Sequence, residues 1–367
     1  MPQQLAEAEA SARSIADIVA RDLRPLVPRI DEEGLYPETL LRSIGEAGAF
    51  ARHTFPSGDH GPGLVGAIEA MAEVSASCIT TGFCLWCQDA LAWYLAQADN
   101  PVPRERYLAN VASGRQLGGT GLSNAMKAFS GIEPMALKGK KITGGYRVTG
   151  RLPFVSNVQD GHLFAAVFTL ESEQDQRVMA VFRTGSEEVA LARNAHFVAL
   201  EGSATYSVLI RDAFVSDDDV LSHDAAKFIP RIRKGFVLLQ AGMGLGAARG
   251  AAASMRADGP GRRLAAHLPL GPDEIDARAD RLAECVRALA RDPQPTDRAG
   301  FLEILKARLE ISWLALEAAQ SAVLQAGARG YLAGAEAARR LRETQFVAIV
   351  TPSVKHILTE LSNAEEI

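Results

Sequence analysis

The sequence lacks the features that mark secreted, membrane-spanning or nucleic-acid-binding proteins. It has only four cysteines in 367 residues, and no second Cys/His pair accompanies Cys84 and Cys87, so neither a metal site nor disulfides are expected. No apolar run is long enough to span a bilayer, and the N-terminus does not resemble a secretory signal. A net charge of −5 gives no electrostatic case for nucleic acid. We therefore expect a cytoplasmic protein with no membrane or nucleic-acid partner, in which Cys84 and Cys87 are small buried helix residues.

Helical periodicity dominates both ends of the chain. Residues from about 6 to 113 read as helices, and the helical pattern returns after Pro230. A regular apolar stripe predicts a long helix of a bundle, with Leu305, Leu309, Ser312, Leu316, Ala319 and Val323 facing its neighbours. A second helix is predicted from Ala335 to about Val350, and a last one after Pro352 to about Leu361.

Between about Gly118 and Leu221 the period of the pattern becomes two. In the segment from Leu163 to Phe168 both alternating sets are apolar, which predicts a strand buried on both faces. Gly144–Gly145 and Thr149–Gly150 punctuate the region as turns do. The predicted fold class is α+β, mostly α: an N-terminal helical domain (1–115), a central antiparallel β domain (116–224) and a C-terminal four-helix bundle (225–367).

The most informative stretch runs from Gly145 to Asn157. Two β segments are expected to meet at a glycine turn, after which Phe154 and Ser156 point to the same face of a strand. An aromatic ring two residues from a hydroxyl suits an isoalloxazine, because the ring offers a flat apolar surface and the hydroxyl can bond the edge that carries N5. Without further context, an ordinary turn and strand explain the stretch better.

This stretch resembles the β-domain signature of the acyl-CoA dehydrogenase superfamily, a fold shared with flavin-dependent monooxygenases. The resemblance implies that Gly150 is the turn glycine, that Phe154 replaces the tryptophan against the flavin, and that Ser156 bonds N5. Upstream, Thr120–Ser130 is similar to the family's flavin loop, with Ser123 at the pyrimidine end. The residues that the resemblance assigns to the cofactor are Leu122, Ser123, Ser130, Phe154, Val155, Ser156, Gln325, Gly327, Gly330 and Ser353.

The similarity extends along most of the chain. Pro56–Gly63 is like a family loop, and Gln325–Tyr331 is similar to a family turn that serves the cofactor of a neighbouring subunit. A homodimer or homotetramer that binds FAD is implied. The family's Arg-x-x-Phe-Gly motif for the dinucleotide is missing, although Arg262 or Arg263 could meet a phosphate, so FMN is also possible.

The departures from the family bear on the reaction. The segment Val350–Ser353 places Thr351 where many members carry the glutamate base, and a neutral hydroxyl cannot remove a C–H proton near pH 7. Other members carry that acid on the first bundle helix, where Gly235–Gly242 has none. His356 is the histidine of the C-terminal segment and our candidate catalytic residue, although a helix-surface residue without a role explains it better from the sequence alone.

The sequence leaves three alternative functions open. The family resemblance favours CH–CH dehydrogenation of an acyl thioester, which is the first choice from the sequence, with an electron acceptor as partner. The absent carboxylate favours a monooxygenase that takes reduced flavin from a reductase and acts on a small molecule, and a catalytically silent member is the non-enzymatic alternative. The run Gly242–Ala247 outlines a nicotinamide-dinucleotide fingerprint, but no βαβ unit follows, and close packing of two helices explains its glycines better.

Overall fold

A computed structural model describes residues 13–54, 63–172, 176–193, 195–259, 266–291 and 297–365. Helices form the N-terminal part. They are α1 (Ile15–Ile18), continued by a π turn (Val19–Leu23) into α2 (Arg24–Glu32), then α3 (Glu38–Glu46), α4 (Gly63–Ser77), α5 (Ile79–Ala96) and α6 (Pro101–Ala112). All residues of α5 from Ile79 to Leu95 are buried, and the expectation that Cys84 and Cys87 are buried helix residues with free thiols is confirmed.

The central part forms one sheet of eight strands. They are β1 (Gly118–Thr120), β2 (Leu137–Ile142), β3 (Gly145–Val155), β4 (Leu163–Leu170), β5 (Arg177–Arg183), β6 (Val189–Ala192), β7 (Tyr206–Ser216) and β8 (Val220–Ser222), with helix α7 (Leu122–Phe129) between β1 and β2. The strand order is β6-β7-β3-β2-β4-β5-β8, with β1 beside β4. Most pairings are antiparallel, as expected, but β4 pairs parallel with both β1 and β2, so the sheet is mixed.

Strand β4 divides its side chains between two cores. Leu163, Ala165 and Val167 pack with the helices, whereas the alternate residues Phe164, Ala166 and Phe168 pack inside the sheet region with β2, β3 and β7. This confirms the prediction of a strand that is buried on both faces. The sheet is therefore joined to the helical part by a shared apolar core.

The expected turn at Thr149–Gly150 is wrong. Both residues lie inside β3, and the register shift opposite them places an extra residue on β7, between Ile210 and Ala213, so the bulge belongs to the partner strand. Gly150 has φ +145°, and a Cβ there would lie 2.4 Å from the carbonyl oxygen of Ala136. Glycine is needed at position 150 because of its φ and this close approach, not because the chain reverses; the turn between β2 and β3 is at Gly144.

The C-terminal part is again helical. It consists of α8 (Ala225–Ala257), α9 (Pro272–Arg291), α10 (Arg298–Ala326), α11 (Glu336–Ile349) and α12 (Val354–Glu365). Helices α9, α10 and α11 all pack on α8, and the bounds of α11 agree with the predicted helix. In the described part of the chain no helix is long and apolar enough to cross a membrane.

The glycines of α8 allow it to approach α4 closely. A Cβ on Gly242 would lie 2.6 Å from the carbonyl oxygen of Ile68, and one on Gly246 would lie 2.4 Å from that of Ala72. Since Gly242–Ala247 lies within one continuous helix, the dinucleotide interpretation fails and close helix packing explains the glycines.

The predicted fold class is confirmed; the boundaries at 115/116 and 224/225 remain predictions.

Candidate functional site

Three parts of the chain meet at Thr351. Its hydroxyl lies 2.8 Å from that of Ser123, at the start of α7, so the two share a hydrogen bond in which either can be the donor. Gln240 of α8 donates its side-chain amide to the backbone oxygen of Thr351 at 2.8 Å. The Thr351 side chain is thus buried and hydrogen-bonded to another neutral hydroxyl, in a turn that is fixed from the bundle side.

A buried guanidinium lies behind this turn. Arg308 of α10 is fully buried and donates from Nε to Oε1 of Gln240 at 3.1 Å. It also donates to the hydroxyl of Ser312 and to the carbonyl oxygen of Val347. Burial lowers the pKa of Arg308 to about 10, so the group stays protonated at pH 7. All three partners are neutral, and a positive charge therefore remains next to the Gln240–Thr351 contact.

His356 forms a second polar group on α12. Its Nε2 lies 3.0 Å from the hydroxyl of Ser130 and 3.5 Å from a carboxylate oxygen of Glu360, one helical turn further on. The backbone N–H of His356 donates to the hydroxyl of Ser353. The hydrogen bond from His356 is the largest cause that lowers the pKa of Glu360, so the carboxylate is ionised at neutral pH. The pair can hold or move a proton at Nε2.

The end of β3 carries one exposed aromatic residue and one buried hydroxyl. Phe154 is 55% exposed and meets Phe197 edge to face, with ring centroids 6.0 Å apart. Ser156 follows the last residue of the strand, is buried, and accepts a hydrogen bond from Thr205 at 2.7 Å. Next to Phe197, Val198 is 81% exposed, so the rings border an open apolar surface.

The other predicted cofactor residues differ in their accessibility. Leu122 and Val155 are fully buried and present no surface to a ligand. Gln325 is buried and donates to the carbonyl oxygen of Met255 at 2.5 Å. Gly327 ends α10 with φ +59°, and Gly330 lies in the short 3₁₀ turn that follows.

The structure therefore connects some of the predicted residues and leaves others apart. Ser123 meets Thr351, and Ser130 and Ser353 meet His356. Gln325, Gly327 and Gly330 lie elsewhere, at the C-terminal end of α10 and in the turn that follows it. The predicted loop Pro56–Gly63 falls almost entirely outside the described residues, as do Arg262 and Arg263.

Sequence reasoning missed Gln240, Arg308, Ser203 and Thr205. Two of them carried a visible signal: Gln240 interrupts the apolar run Phe236–Ala241, and Arg308 lies on the buried face of α10. A polar side chain in such a position must be paired to be stable, which marks it as a network residue. Nothing local distinguishes Ser203 or Thr205.

Comparison with known proteins agrees with this fold. Residues 6–115 match the model of the acyl-CoA dehydrogenase N-terminal domain. Among solved structures, butyryl-CoA dehydrogenase from Megasphaera elsdenii is similar with a TM-score of 0.83 at 18% identity, covering 96% of each chain. The glutaryl-CoA dehydrogenase complex with glutaryl-CoA is similar with a TM-score of 0.76 at 16% identity, covering 95% of this chain and 92% of that one.

A further similar structure is KijD3 in complex with FMN and a dTDP-linked amino-keto sugar, with a TM-score of 0.77 at 19% identity, covering 96% and 92% of the two chains. No curated protein matches the sequence. Residues 6–115 thus match the acyl-CoA dehydrogenase N-terminal domain in sequence, and the whole chain shares the fold of the acyl-CoA dehydrogenases. Its fold is one that flavin-dependent enzymes use.

Proposed function

We propose that this chain is a flavin-dependent oxidoreductase whose flavin ring lies over Phe154, between the sheet and the bundle. The support is the open apolar surface of Phe154 and Val198 at the end of β3. Large exposed apolar patches mark binding surfaces, because leaving them in water is costly. The hydroxyl of Ser156 lies two residues from the ring, and that of Ser123 lies on α7 towards the bundle.

The residues present fit a flavin in distinct roles. Phe154 would cover one face of the ring, Ser156 would bond its N5 edge, and Ser123 would meet its pyrimidine end. FAD is our first choice because of the family resemblance, and FMN is the second. When bound, the flavin supplies the transfer of electrons, whereas the protein supplies binding, orientation and the exclusion of water.

The surroundings of Thr351 support one reaction better than the other. Dehydrogenation of an acyl thioester needs a base at the substrate α-carbon, and the fold likeness to acyl-CoA dehydrogenases favours that reaction. Thr351 is neutral and is hydrogen-bonded to Ser123, so it cannot act as that base. We therefore rank oxygenation by reduced flavin first and dehydrogenation second.

Proton movement in this proposal belongs to His356. Glu360 is ionised and holds the imidazole from one side, while Ser130 bonds the same nitrogen. A carboxylate that orients an imidazole is a common general acid–base arrangement. The proposed substrate is a small molecule such as a phenol, an amine or a sulfur compound, and the reduced flavin comes from a reductase.

The first experiment loads the purified chain with FAD or FMN and records its absorption spectrum and flavin affinity. We expect a yellow protein in which Phe154→Ala weakens flavin binding about ten-fold or more, which is about 1.4 kcal/mol. Phe214→Ala is the matched control, because Phe214 is a similarly exposed phenylalanine of β7. A colourless protein that cannot be loaded would favour the catalytically silent alternative.

The second experiment separates the two reactions. Acyl-CoAs of several chain lengths are supplied with an electron-acceptor dye, and in parallel reduced flavin is supplied with oxygen and candidate substrates. Oxygen consumption without dye bleaching by any thioester supports oxygenation. Bleaching by a thioester would reverse the ranking and require another base than Thr351.

A further inference from the structure

Behind Ser156 lies a row of three hydroxyl groups that ends on a backbone carbonyl. Thr205 Oγ1 is 2.7 Å from Ser156 Oγ, in the geometry of a bond donated by the threonine. Ser203 Oγ is 2.7 Å from Thr205 Oγ1, where either can donate. Ser203 Oγ also lies 2.6 Å from the carbonyl oxygen of Leu200, to which it donates. The row therefore contains three contacts.

The turn that carries Ser203 is held in a fixed and unusual conformation. Leu200 and Ala204, on either side of the 3₁₀ turn Glu201–Ser203, have φ of +65° and +47°, values that residues other than glycine rarely adopt. The carbonyl oxygen of Ser203 accepts a hydrogen bond from the backbone N–H of Asn157 at 2.9 Å. Strained backbone of this kind persists only where its surroundings determine it, and it is concentrated at functional sites.

Counting protons shows that the row has two possible directions. Each hydroxyl carries one proton, so three contacts are all satisfied only if Ser156 donates to Thr205, Thr205 to Ser203, and Ser203 to Leu200. In the opposite direction Thr205 donates to Ser156, as the heavy-atom geometry has it, and one of the other two contacts then lacks a proton. The first direction leaves Ser156 as an acceptor towards the proposed flavin, and the second leaves it as a donor.

These directions correspond to the two states of a flavin edge. N5 of an oxidised flavin carries a lone pair and accepts, whereas N5 of a reduced flavin carries a proton and donates. We propose that Ser156, Thr205, Ser203 and the Leu200 carbonyl form a hydrogen-bond relay that reverses with the redox state of the flavin and favours the reduced form. This inference rests on the proposed function, and Thr205 and Ser203 act in it as positioning residues through Ser156.

The preference for the reduced flavin follows from how many contacts of the row carry a proton. When N5 donates to Ser156, each hydroxyl can donate to the next group, so every contact of the row is a hydrogen bond. When N5 accepts from Ser156, the three hydroxyl protons serve N5 and only two of the three contacts, so either the Ser203–Leu200 or the Ser203–Thr205 contact has no proton, while the Leu200 carbonyl still accepts from the backbone N–H of Ser203. Ser203 is almost fully buried, so water does not replace the missing partner there.

The test measures the midpoint potential of the bound flavin in the full-length protein, with absorption spectra recorded during reduction. Ser203→Ala removes the end of the relay, so the proton of Thr205 has only Ser156 as its acceptor. We expect the affinity for reduced relative to oxidised flavin to fall about ten-fold, which lowers the potential by about 30 mV for a two-electron couple. Thr205→Val is expected to lower it similarly, whereas Thr205→Ser keeps the hydroxyl and should restore it.

Ser207→Ala provides the matched control. Ser207 is a buried serine of β7, two residues from Thr205, and its hydroxyl bonds Arg151 and the Leu152 carbonyl instead of the relay. A lower potential in Ser203→Ala and Thr205→Val, with Ser207→Ala unchanged, supports the relay. Potentials equal to that of the parent in both relay variants would overturn it while leaving the proposed function intact. A parent chain that binds no flavin would overturn both.

Discussion

The buried pair His53 and Asp89 allows a pH-dependent property to be worked out from geometry. His53 Nε2 lies 2.8 Å from the carbonyl oxygen of Asp89, which can only accept, so Nε2 carries the proton. Burial lowers the pKa of His53 to about 4, so the ring is neutral and its Nδ1 is bare at pH 7. Nδ1 faces Asp89 Oδ1 at 3.7 Å, and neither atom has a hydrogen-bond partner among the described residues.

The pair is therefore better described as a neutral imidazole beside a protonated carboxyl than as a salt bridge. Burial raises the pKa of Asp89 well above its ordinary value of 3.8, which agrees with this assignment. Between pH 4 and 6.5 the folded pair holds one proton on Asp89, and the unfolded pair holds one on His53, whose ordinary pKa is 6.5. The two contributions cancel in this window, so the pair adds no pH dependence to the free energy of unfolding.

Above pH 6.5 the balance changes. The unfolded chain has released its histidine proton, so wherever the folded chain still keeps the proton of Asp89, the contribution of the pair to the free energy of unfolding falls with pH, by at most about 1.4 kcal/mol per pH unit. In Asp89→Asn only His53 titrates, so the free energy rises by about the same amount per unit from pH 4 to 6.5 and is then level. Relative to the parent, the variant should therefore gain stability as the pH rises from 5 to 8, by up to about 4 kcal/mol.

The measurement is urea unfolding from pH 5 to 8, followed by tryptophan fluorescence. Trp93 is a suitable reporter, because its ring lies 6.1 Å from that of His53. Asp160→Asn, at an exposed position, is the control and should follow the parent at every pH. If the curves of Asp89→Asn and the parent run parallel, Asp89 is ionised in the folded protein and the assignment of its proton is refuted.

Two further predictions concern catalysis and packing. His356→Gln should lower flavin-dependent turnover about 100-fold or more without changing flavin affinity, because it removes the proposed acid–base group. Steady-state kinetics test this, with the exposed His267→Gln as the control. Unchanged turnover would exclude the role. Gly246→Ala should destabilise the protein by about 1–3 kcal/mol, because its Cβ would meet the Ala72 carbonyl at 2.4 Å. Thermal unfolding tests this against Gly271→Ala, where the space is open, and equal melting temperatures would contradict it.

Local sequence patterns were sufficient to predict most of the helices and strands of the fold. The double apolar alternation from Leu163 to Phe168 predicted a strand with two buried faces, because side chains alternate along any strand whatever it packs on. The helix predicted from Ala335 to Val350 is found at Glu336–Ile349 for the same kind of reason. The prediction at Gly150 was wrong because a glycine that a strand needs for close backbone approach cannot be told from a turn glycine in the sequence.

The candidate site was less accessible to sequence reasoning because its contacts are distant along the chain. Thr205 meets Ser156 across 49 positions, and Gln240 meets Thr351 across 111. No periodicity links such pairs, and only the packing of sheet, bundle and C-terminal turn brings them together. The family resemblance pointed to Ser156 and Thr351. The residues that form hydrogen bonds with them are identified only by the structure.

The two groups of expected cofactor residues are too far apart to serve one ring. Gln240, in the middle of α8, donates to Thr351, whereas Gln325 donates to Met255 of the same helix. Gln240 and Met255 are fifteen residues apart, which is about 22 Å at 1.5 Å per residue. At the end of the 3₁₀ turn that follows Gln325, Tyr331 and Leu332 are 87% and 63% exposed, and two adjacent exposed apolar residues favour coverage by another molecule. Both facts support the expectation that this turn serves the cofactor of a neighbouring subunit. Flavin binding and subunit association would then be thermodynamically linked, so that dilution of the protein weakens both together.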